Sequence, residues 1–402
     1  MQRSLAFWCQ YVDTHCLEPL RNREHRRGPD GRIHSMMKLR LAFWTLPVLL
    51  LAPLAVAENK VELGEINGAK FRIDVPEKWN GGLVMYCHGY NQKPAAYNDK
   101  SNPMVNVFLD QGYAVAQSGY AAGGWAIQEG VVDTENLRRY FLKKYGPVKE
   151  SYVTGHSMGG FITMTIMETN PTVYDAGMPL CGPLASPAYF MGRGAFDGLV
   201  LFNYYFPGVL PDPGNVPADY VGGREVAAKV EAALASDEAK AAVLRAQNGN
   251  KTNKDLAGVL AFVGYTVKEI SERAGGHPFD NRNVIYNHTP DDNAVNAGVK
   301  RYAADAKAVD YLRAYYTPTG RILKPMLAIH TSYDPLVPTW IPNTYQSLVD
   351  QSGTSNLFVQ QYVKHDGHCT MTPQEIGKGF SQLREWKSSG VRPNGGDQAA
   401  GR

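Results

Sequence analysis

Residues 151–169 read SYVTGHSMGGFITMTIMET, and the reading of this stretch decides the fold. Tyr152 and Val153 lie in an apolar strand signal over 151–154, and residues 158–169 carry a helical signal that stops at Asn170-Pro171. Between them stands Gly155-His156-Ser157-Met158-Gly159, with Gly160 following. A G-x-S-x-G set between a strand and a helix has a mechanical meaning. The chain turns so sharply that the serine takes a strained backbone conformation, and side chains at the flanking positions would clash with neighbouring backbone. The Ser157 hydroxyl is then held above a sheet at a helix N-terminus, where backbone N–H groups favour developing negative charge. The alternative is a glycine-rich turn with a capping serine. A base and an acid further along the chain would decide between the two.

Outward from this stretch the pattern is strand and helix in alternation. Residues 60–75 alternate around Asn67-Gly68, a hairpin signal. Residues 82–87 (GLVMYC) are a short apolar run leading into His88-Gly89-Tyr90. Residues 105–111 read as helix, 113–117 as strand, and 133–145 as helix from an Asp-Thr start to Gly146-Pro147. Residues 175–180 read as strand and lead into Cys181-Gly182-Pro183. This spacing predicts an α/β fold whose mostly parallel sheet is covered by helices on both faces. The alternation then stops. Residues 183–323 show no strong strand signal. They hold Phe202, Tyr204, Tyr205 and Phe206, a Pro/Gly-rich turn at 207–217, and helical stretches at 224–235 and 237–246 with Ser236 as the expected N-cap between them. Strand signals return at 325–331 and 357–363, with helices near 342–352 and 373–386. The expected organisation is a core in two parts (58–182 and 324–390), a helical lid inserted at 183–323, and a tail (391–402) in a stretch expected to fray from Ser388.

A serine needs a general base, and the base needs an acid to orient it. For this architecture the chain order is Ser, acid, His. Asp334 lies in Ser332-Tyr333-Asp334-Pro335, just past the carboxyl end of the 325–331 strand, where an acid can reach a histidine; Asp310, Asp350 and Asp366 are less well placed. Of seven histidines after residue 57, His365 and His368 follow the last strand. His368 stands after Gly367, which allows a turn that swings its ring over the sheet edge, so it is the expected base with His365 as fallback. The backbone N–H groups of Met158 and Tyr90 are the expected oxyanion donors, Gly89 permitting close approach. The aromatic residues Phe202, Tyr204, Tyr205 and Phe206 are candidates for a substrate pocket, or equally for the core of the lid. No metal-ligand spacing is present, and no metal or cofactor is expected.

The N-terminus reads as a targeting segment. Residues 37–57 place Lys38 and Arg40 before an apolar stretch and end in Ala55-Val56-Ala57, the three-part pattern of a secretory signal peptide. Pro47, Pro53 and the short apolar length argue against a membrane anchor. Residues 1–36 are Arg-rich and precede this signal, which suggests a true start at Met36 or Met37 and a secreted or periplasmic mature chain from Glu58. Residues 58–402 carry 33 basic and 34 acidic residues, obtained by subtracting the eight and four of residues 1–57 from the totals. Such a balance supplies no electrostatic reason for a nucleic-acid partner or for stable membrane association. Cys87, Cys181 and Cys369 remain, an odd number suggesting one disulfide and one buried thiol in an oxidising compartment.

Taken in order, strand-His88-Gly89-Tyr90, Gly155-His156-Ser157-Met158-Gly159-Gly160, Tyr333-Asp334-Pro335-Leu336-Val337-Pro338 and Gly367-His368-Cys369 resemble the α/β-hydrolases over residues 60–182 and 323–388. The resemblance implies an eight-stranded sheet and a triad of Ser157, Asp334 and His368. Within that group the chain is similar to secreted bacterial esterases that share Gly124-Trp125-Ala126, Cys181-Gly182-Pro183 and the His-Cys pair, some of them described by prolyl oligopeptidase-like domains. The His368-Cys369 pair also resembles tannase and feruloyl esterase proteins, in which a cysteine before the serine bonds one after the histidine; here His156 stands before Ser157. The expected function is hydrolysis of a small or polymeric carboxylic ester. A serine exopeptidase and a non-catalytic binding module are the alternatives. Cys181 ends a strand at the sheet edge that His368 must also reach, so a Cys181–Cys369 disulfide is expected. Cys87 is the rival partner, and three free thiols are the remaining option.

Overall fold

The computed structural model describes residues 59–98, 100 and 102–398. The predicted signal segment at 37–57 and the extension before it lie outside them. The chain opens on a hairpin, β1 (Lys60–Ile66) and β2 (Ala69–Val75), joined through Asn67 and Gly68, both at positive φ as a two-residue Asn-Gly turn requires. Then follow β3 (Gly82–Cys87), α1 (Pro103–Leu109), β4 (Ala114–Ser118), α2 (Ile127–Tyr145), β5 (Glu150–His156), α3 (Met158–Thr169) and β6 (Ala176–Leu180). After β6 come helices only: a short helical turn at Pro187–Tyr189, a π-helix at Phe190–Phe196, α4 (Asp197–Tyr205), α5 (Arg224–Ser236), α6 (Glu238–Asn248), α7 (Asn253–Ala274), α8 (Asp292–Gly298) and α9 (Ala306–Ala314). The core resumes with β7 (Met326–Tyr333), α10 (Trp340–Ser352), β8 (Phe358–Asp366), α11 (Pro373–Ser389) and β9 (Gly396–Asp397).

The strands form one sheet in the order β1-β2-β4-β3-β5-β6-β7-β8-β9, antiparallel at β1–β2 and β2–β4 and parallel from there on. This is the α/β-hydrolase fold. Both faces are buried, which is why GLVMYC reads as a continuous apolar run: Leu83, Met85 and Cys87 join the core under α2 and α3, while Val84 and Tyr86 join the core under α1 and α11. The insertion packs onto the first of these, with Leu199, Val230 and Leu260 continuing the same apolar cluster.

Several local expectations are corrected. The sheet has nine strands among the described residues, not eight. The ninth comes from the tail expected to fray, where Gly396 and Asp397 pair with Gln361 and Tyr362. The helix expected from Asp133 starts at Ile127. The Asp133 carboxylate does not cap it but accepts the Ala121 N–H at 2.9 Å. Ser236 ends α5, and Asp237 is the cap of α6, accepting the Lys240 N–H. The longest helix of the insertion, α7, is an element that the helical stretches expected at 224–235 and 237–246 do not include. Thr252 caps its start and Gly275, at φ 67°, its end. Among the described residues no helix is long and apolar enough to cross a membrane.

Candidate active site

Ser157 sits between β5 and α3 with φ 56° and ψ −123°, a conformation that non-glycine residues rarely adopt. The reason for the two flanking glycines is visible. A Cβ on Gly155 or on Gly159 would collide with the carbonyl oxygen of Cys87, the last residue of the neighbouring strand β3. Gly160 is equally confined, with Leu180 O 2.8 Å from where its Cβ would stand. The elbow is thus shaped by the ends of β3 and β6, and its own N–H is held by Leu180 O at 2.9 Å.

His368 reaches Ser157 from the loop after β8, at the same end of the parallel strands. Gly367, at φ 120°, makes the turn, and it is fixed by its N–H to Tyr333 O (2.9 Å) and its carbonyl to Thr331 Oγ1 (2.9 Å). On the other side Cys369 is bonded to Cys181 at the end of β6, with a Cα separation of 5.3 Å. The imidazole is therefore gripped by both chain neighbours. Its Nε2 lies 2.8 Å from Ser157 Oγ and its Nδ1 2.7 Å from Asp334 Oδ2. A register shift in the β7–β8 pairing between Thr331 and Tyr333 precedes the acid, the kind of bulge that re-aims a side chain at the end of a strand. Asp334 is fully buried, and its second oxygen accepts the N–H groups of Leu336 and Val337, both at 2.9 Å. Buried His330 donates Nε2–H to Val337 O at 2.8 Å, which steadies the same loop. Burial lowers its pKa, so it stays neutral beside the acid. His365, the fallback base, lies within β8 and binds Glu375 at 3.0 Å instead.

The loop after β3 comes against the elbow. A Cβ on Gly89 would stand 3.3 Å from Ser157 Cβ. Gly89 donates its N–H to His156 Nε2 at 3.3 Å, so the His156 proton is on Nδ1, directed to Tyr86 Oη at 2.9 Å. The Gly89 carbonyl lies 2.6 Å from His88 Nδ1, which must carry a proton to approach it. That carbonyl belongs to the same planar peptide as the Tyr90 N–H, so anchoring one end aims the other. Burial lowers the His88 pKa to about 4 and the His156 pKa to about 3, His88 and His368 adding to the latter shift. Both rings are neutral struts. Among the described residues, neither the Tyr90 N–H nor the Met158 N–H meets a protein acceptor.

Ser157 opens onto a narrow cavity of about 70 Å³ whose lining is almost entirely apolar. It is lined by Tyr90 and Trp125, by Phe190 and Met191, by Phe262 and Val263 of α7, and by Leu336 and Trp340. No Asp, Glu, Lys, Arg or His is among its lining residues. The quartet Phe202, Tyr204, Tyr205 and Phe206 is not there. Phe202 is fully buried and packs at a tilt against Phe206 in the core of the insertion, and Tyr204 packs edge-on to Tyr205. An amphipathic helix supplies part of the wall in their place. Val259, Phe262, Val263 and Thr266 recur at helical spacing and form the face of α7 over the cavity, a stripe legible in the sequence once 253–274 is read as helix. The π-helix places Phe190, Met191, Gly194 and Ala195 on one side because its wider turn brings residues four and five apart together. Among the described residues no group of three or more His, Cys, Asp or Glu side chains could hold a metal ion.

Residues 67–299 match a tannase-like family of unknown function (DUF6351). No curated protein matches the chain. Among solved structures it is similar to the acylaminoacyl peptidase of Pyrococcus horikoshii, at 13% identity and a TM-score of 0.44, over 83% of this chain and 42% of that one. It is similar also to the Pyrococcus furiosus esterase Pf2001 (14% identity, TM-score 0.43, 82% of this chain and 90% of that one). A third is Est1E from Butyrivibrio proteoclasticus, at 14% identity and a TM-score of 0.39, over 81% of this chain and 98% of that one.

Proposed function

The chain belongs to the tannase-like family of unknown function, and we propose that it is an exported serine esterase that cleaves carboxylic esters through an acyl-enzyme. The observation that carries this reading is the unbroken line from Ser157 Oγ to His368 (2.8 Å) and from His368 to Asp334 (2.7 Å), with Ser157 itself lining an apolar cavity. His368 Nε2 takes the hydroxyl proton as Ser157 Oγ bonds to the ester carbonyl carbon. Asp334 holds Nδ1–H and stabilises the imidazolium. The carbonyl oxygen becomes an oxyanion, received by the N–H groups of Met158 and Tyr90. The tetrahedral intermediate collapses, the carbon–alkoxide bond breaks, and His368 returns its proton to the departing alcohol. Water then repeats the sequence, His368 taking its proton and Ser157 leaving with it. A cavity without charged lining favours neutral acyl and alcohol groups over a peptide terminus. The Cys181–Cys369 disulfide supports an oxidising compartment and so the export reading. The test is a panel of nitrophenyl esters, feruloyl esters and aminoacyl-nitroanilides with wild type and Ser157→Ala. Ester cleavage lost in the variant is the expected result. Turnover of the nitroanilides alone would reassign the enzyme as a peptidase.

A further inference from the structure

The aromatic residues that line the cavity at Ser157 differ in their exposure. Tyr90 and Trp125 are buried, whereas Trp340 remains 37% exposed although it lines the same cavity. Next to it Tyr189 is 41% exposed, and the two rings meet edge to face, 5.5 Å apart at 90°. Exposed aromatic area at the rim of an apolar cavity is removed from water only when something lies against it.

The rim is also held in place. Trp340 opens α10 directly after the Asp334 loop, whose Pro338 carbonyl receives the Ile341 N–H at 2.9 Å. Thr344 Oγ1 ties α10 to the Leu184 carbonyl at 3.2 Å. On the opposite side Gly194 of the π-helix faces the indole, where an added Cβ would stand 3.2 Å from Trp340 Cη2. A glycine there lets the ring lie close against the backbone. A ring restrained from several sides loses little freedom when a ligand stacks on it. A second, partly polar cavity with Arg193, Asp197 and Gln247 in its lining shares Gly194 and Asn248 with the first.

We propose that Trp340 and Tyr189 form an outer subsite that recognises the flat, apolar face of a ring on the part of the ester that projects from the cavity. The inference rests on the esterase reading of Ser157. The ring is an arene or a pyranose, which offer the same flat face. The neighbouring, partly polar cavity is the reason to include the hydroxylated ring among the test substrates.

The test compares ethyl butyrate, benzyl butyrate, a 6-O-butyryl methyl glucoside and ethyl 3-phenylpropanoate by proton release at constant pH. Wild type is expected to favour at least one ring ester over ethyl butyrate in kcat/KM. Trp340→Ala is expected to lower kcat/KM for that ring ester about fivefold to tenfold more than for ethyl butyrate, the scale of one aromatic contact. Trp340→Phe restores most of the preference, and Tyr189→Ala shows a smaller loss of the same sign. Dependence of the glucoside but not the benzyl ester on Trp340 assigns a sugar face, and the reverse assigns an arene. Equal loss for all four esters in Trp340→Ala, or no ring preference in wild type, overturns the subsite while leaving the esterase reading intact. No hydrolysis of any ester by wild type, or full activity in Ser157→Ala, overturns both.

Discussion

The strands around Ser157 and the helices between β6 and β7 bury apolar residues by different rules. In β3 and β5 every second residue faces the same layer, and both layers are covered, so burial follows directly from position along the chain. In the insertion, short helices meet at angles that no local pattern specifies. Residues of one stripe there divide between the cavity and the interior of the cap. The quartet at 202–206 shows the consequence: four aromatic residues close in sequence pack within the insertion, while the cavity wall is drawn from Phe190, Phe262 and Trp340, far apart in sequence. The core supplies Ser157, His368 and Asp334, and the insertion supplies much of the cavity wall beside Ser157.

This division predicts a sharp separation of effects. His368→Ala is expected to lower kcat by at least ~10⁴-fold with little change in thermal midpoint, and a Ser157→Ala/His368→Ala double variant to lose little more than either alone. Phe202→Ala in the insertion is expected to do the reverse. It removes a fully buried ring, at a cost of about 3–5 kcal/mol in stability, and leaves kcat within tenfold. Denaturant unfolding and steady-state kinetics on both variants check the contrast. A collapse of kcat in correctly folded Phe202→Ala would break it.

The Cys181–Cys369 bond joins the two regions, because its 188-residue loop contains the whole insertion and ends beside His368. Cys181→Ser/Cys369→Ser is expected to lose roughly 2–5 kcal/mol of stability and, separately, several-fold in kcat as the histidine loop loosens. Non-reducing peptide mapping of wild type, with Cys87 as the buried thiol, checks the pairing. Retained stability with reduced kcat would mean that the bond serves the histidine alone.

The smallest effect concerns the struts under the elbow. The folded chain holds His88 and His156 neutral down to about 4 and about 3, whereas the unfolded chain protonates them below ~6.5. The unfolded state therefore binds more protons in that interval. Their contribution to stability is complete above pH ~6.5 and is lost as pH falls through the folded values. Between pH 6.5 and 4.5, His156→Gln should flatten the decline in stability by up to one proton, about 1.4 kcal/mol per pH unit. Carboxylates with depressed pKa values, such as Glu62, Glu150 and Glu375, are common to both proteins and cancel in the difference. Parallel stability curves for the two proteins would show that the His156 ring is not held neutral.

Much of the site was legible because its constraints are local. Gly155 and Gly159 flank a serine whose turn admits no side chains, Gly367 precedes a histidine that must swing over an edge, and Asp334 follows a strand end. Each signal sits within a few residues of the group it positions. The parallel sheet likewise makes the ends of β3, β5, β6 and β7 coincide in space, so that Tyr90, Ser157, Cys181 and Asp334 could be placed together from strand order alone. Where local signals misled, a longer contact had prevailed: Asp133 resembles a helix cap but serves Ala121, and the polar tail forms β9 because Gln361 Nε2 binds Asn394 O at 2.8 Å and leads it onto β8.

By itself, then, the sequence determined the alternation of strands and helices, the serine elbow, and the residues able to stand as base and acid. The hairpin turn and the helix stops came from the same source. Each follows from backbone sterics and from apolar periodicity over a few residues. Gly367 and the strand order already favoured His368 over His365 and Cys181 over Cys87; only the tertiary structure decided that Phe190, Phe262 and Trp340 share a cavity and that Phe202 stays out of it. Those outcomes depend on where separate elements end in space. Packing between elements sets that, and residues distant along the chain carry no local mark of the neighbours they will meet.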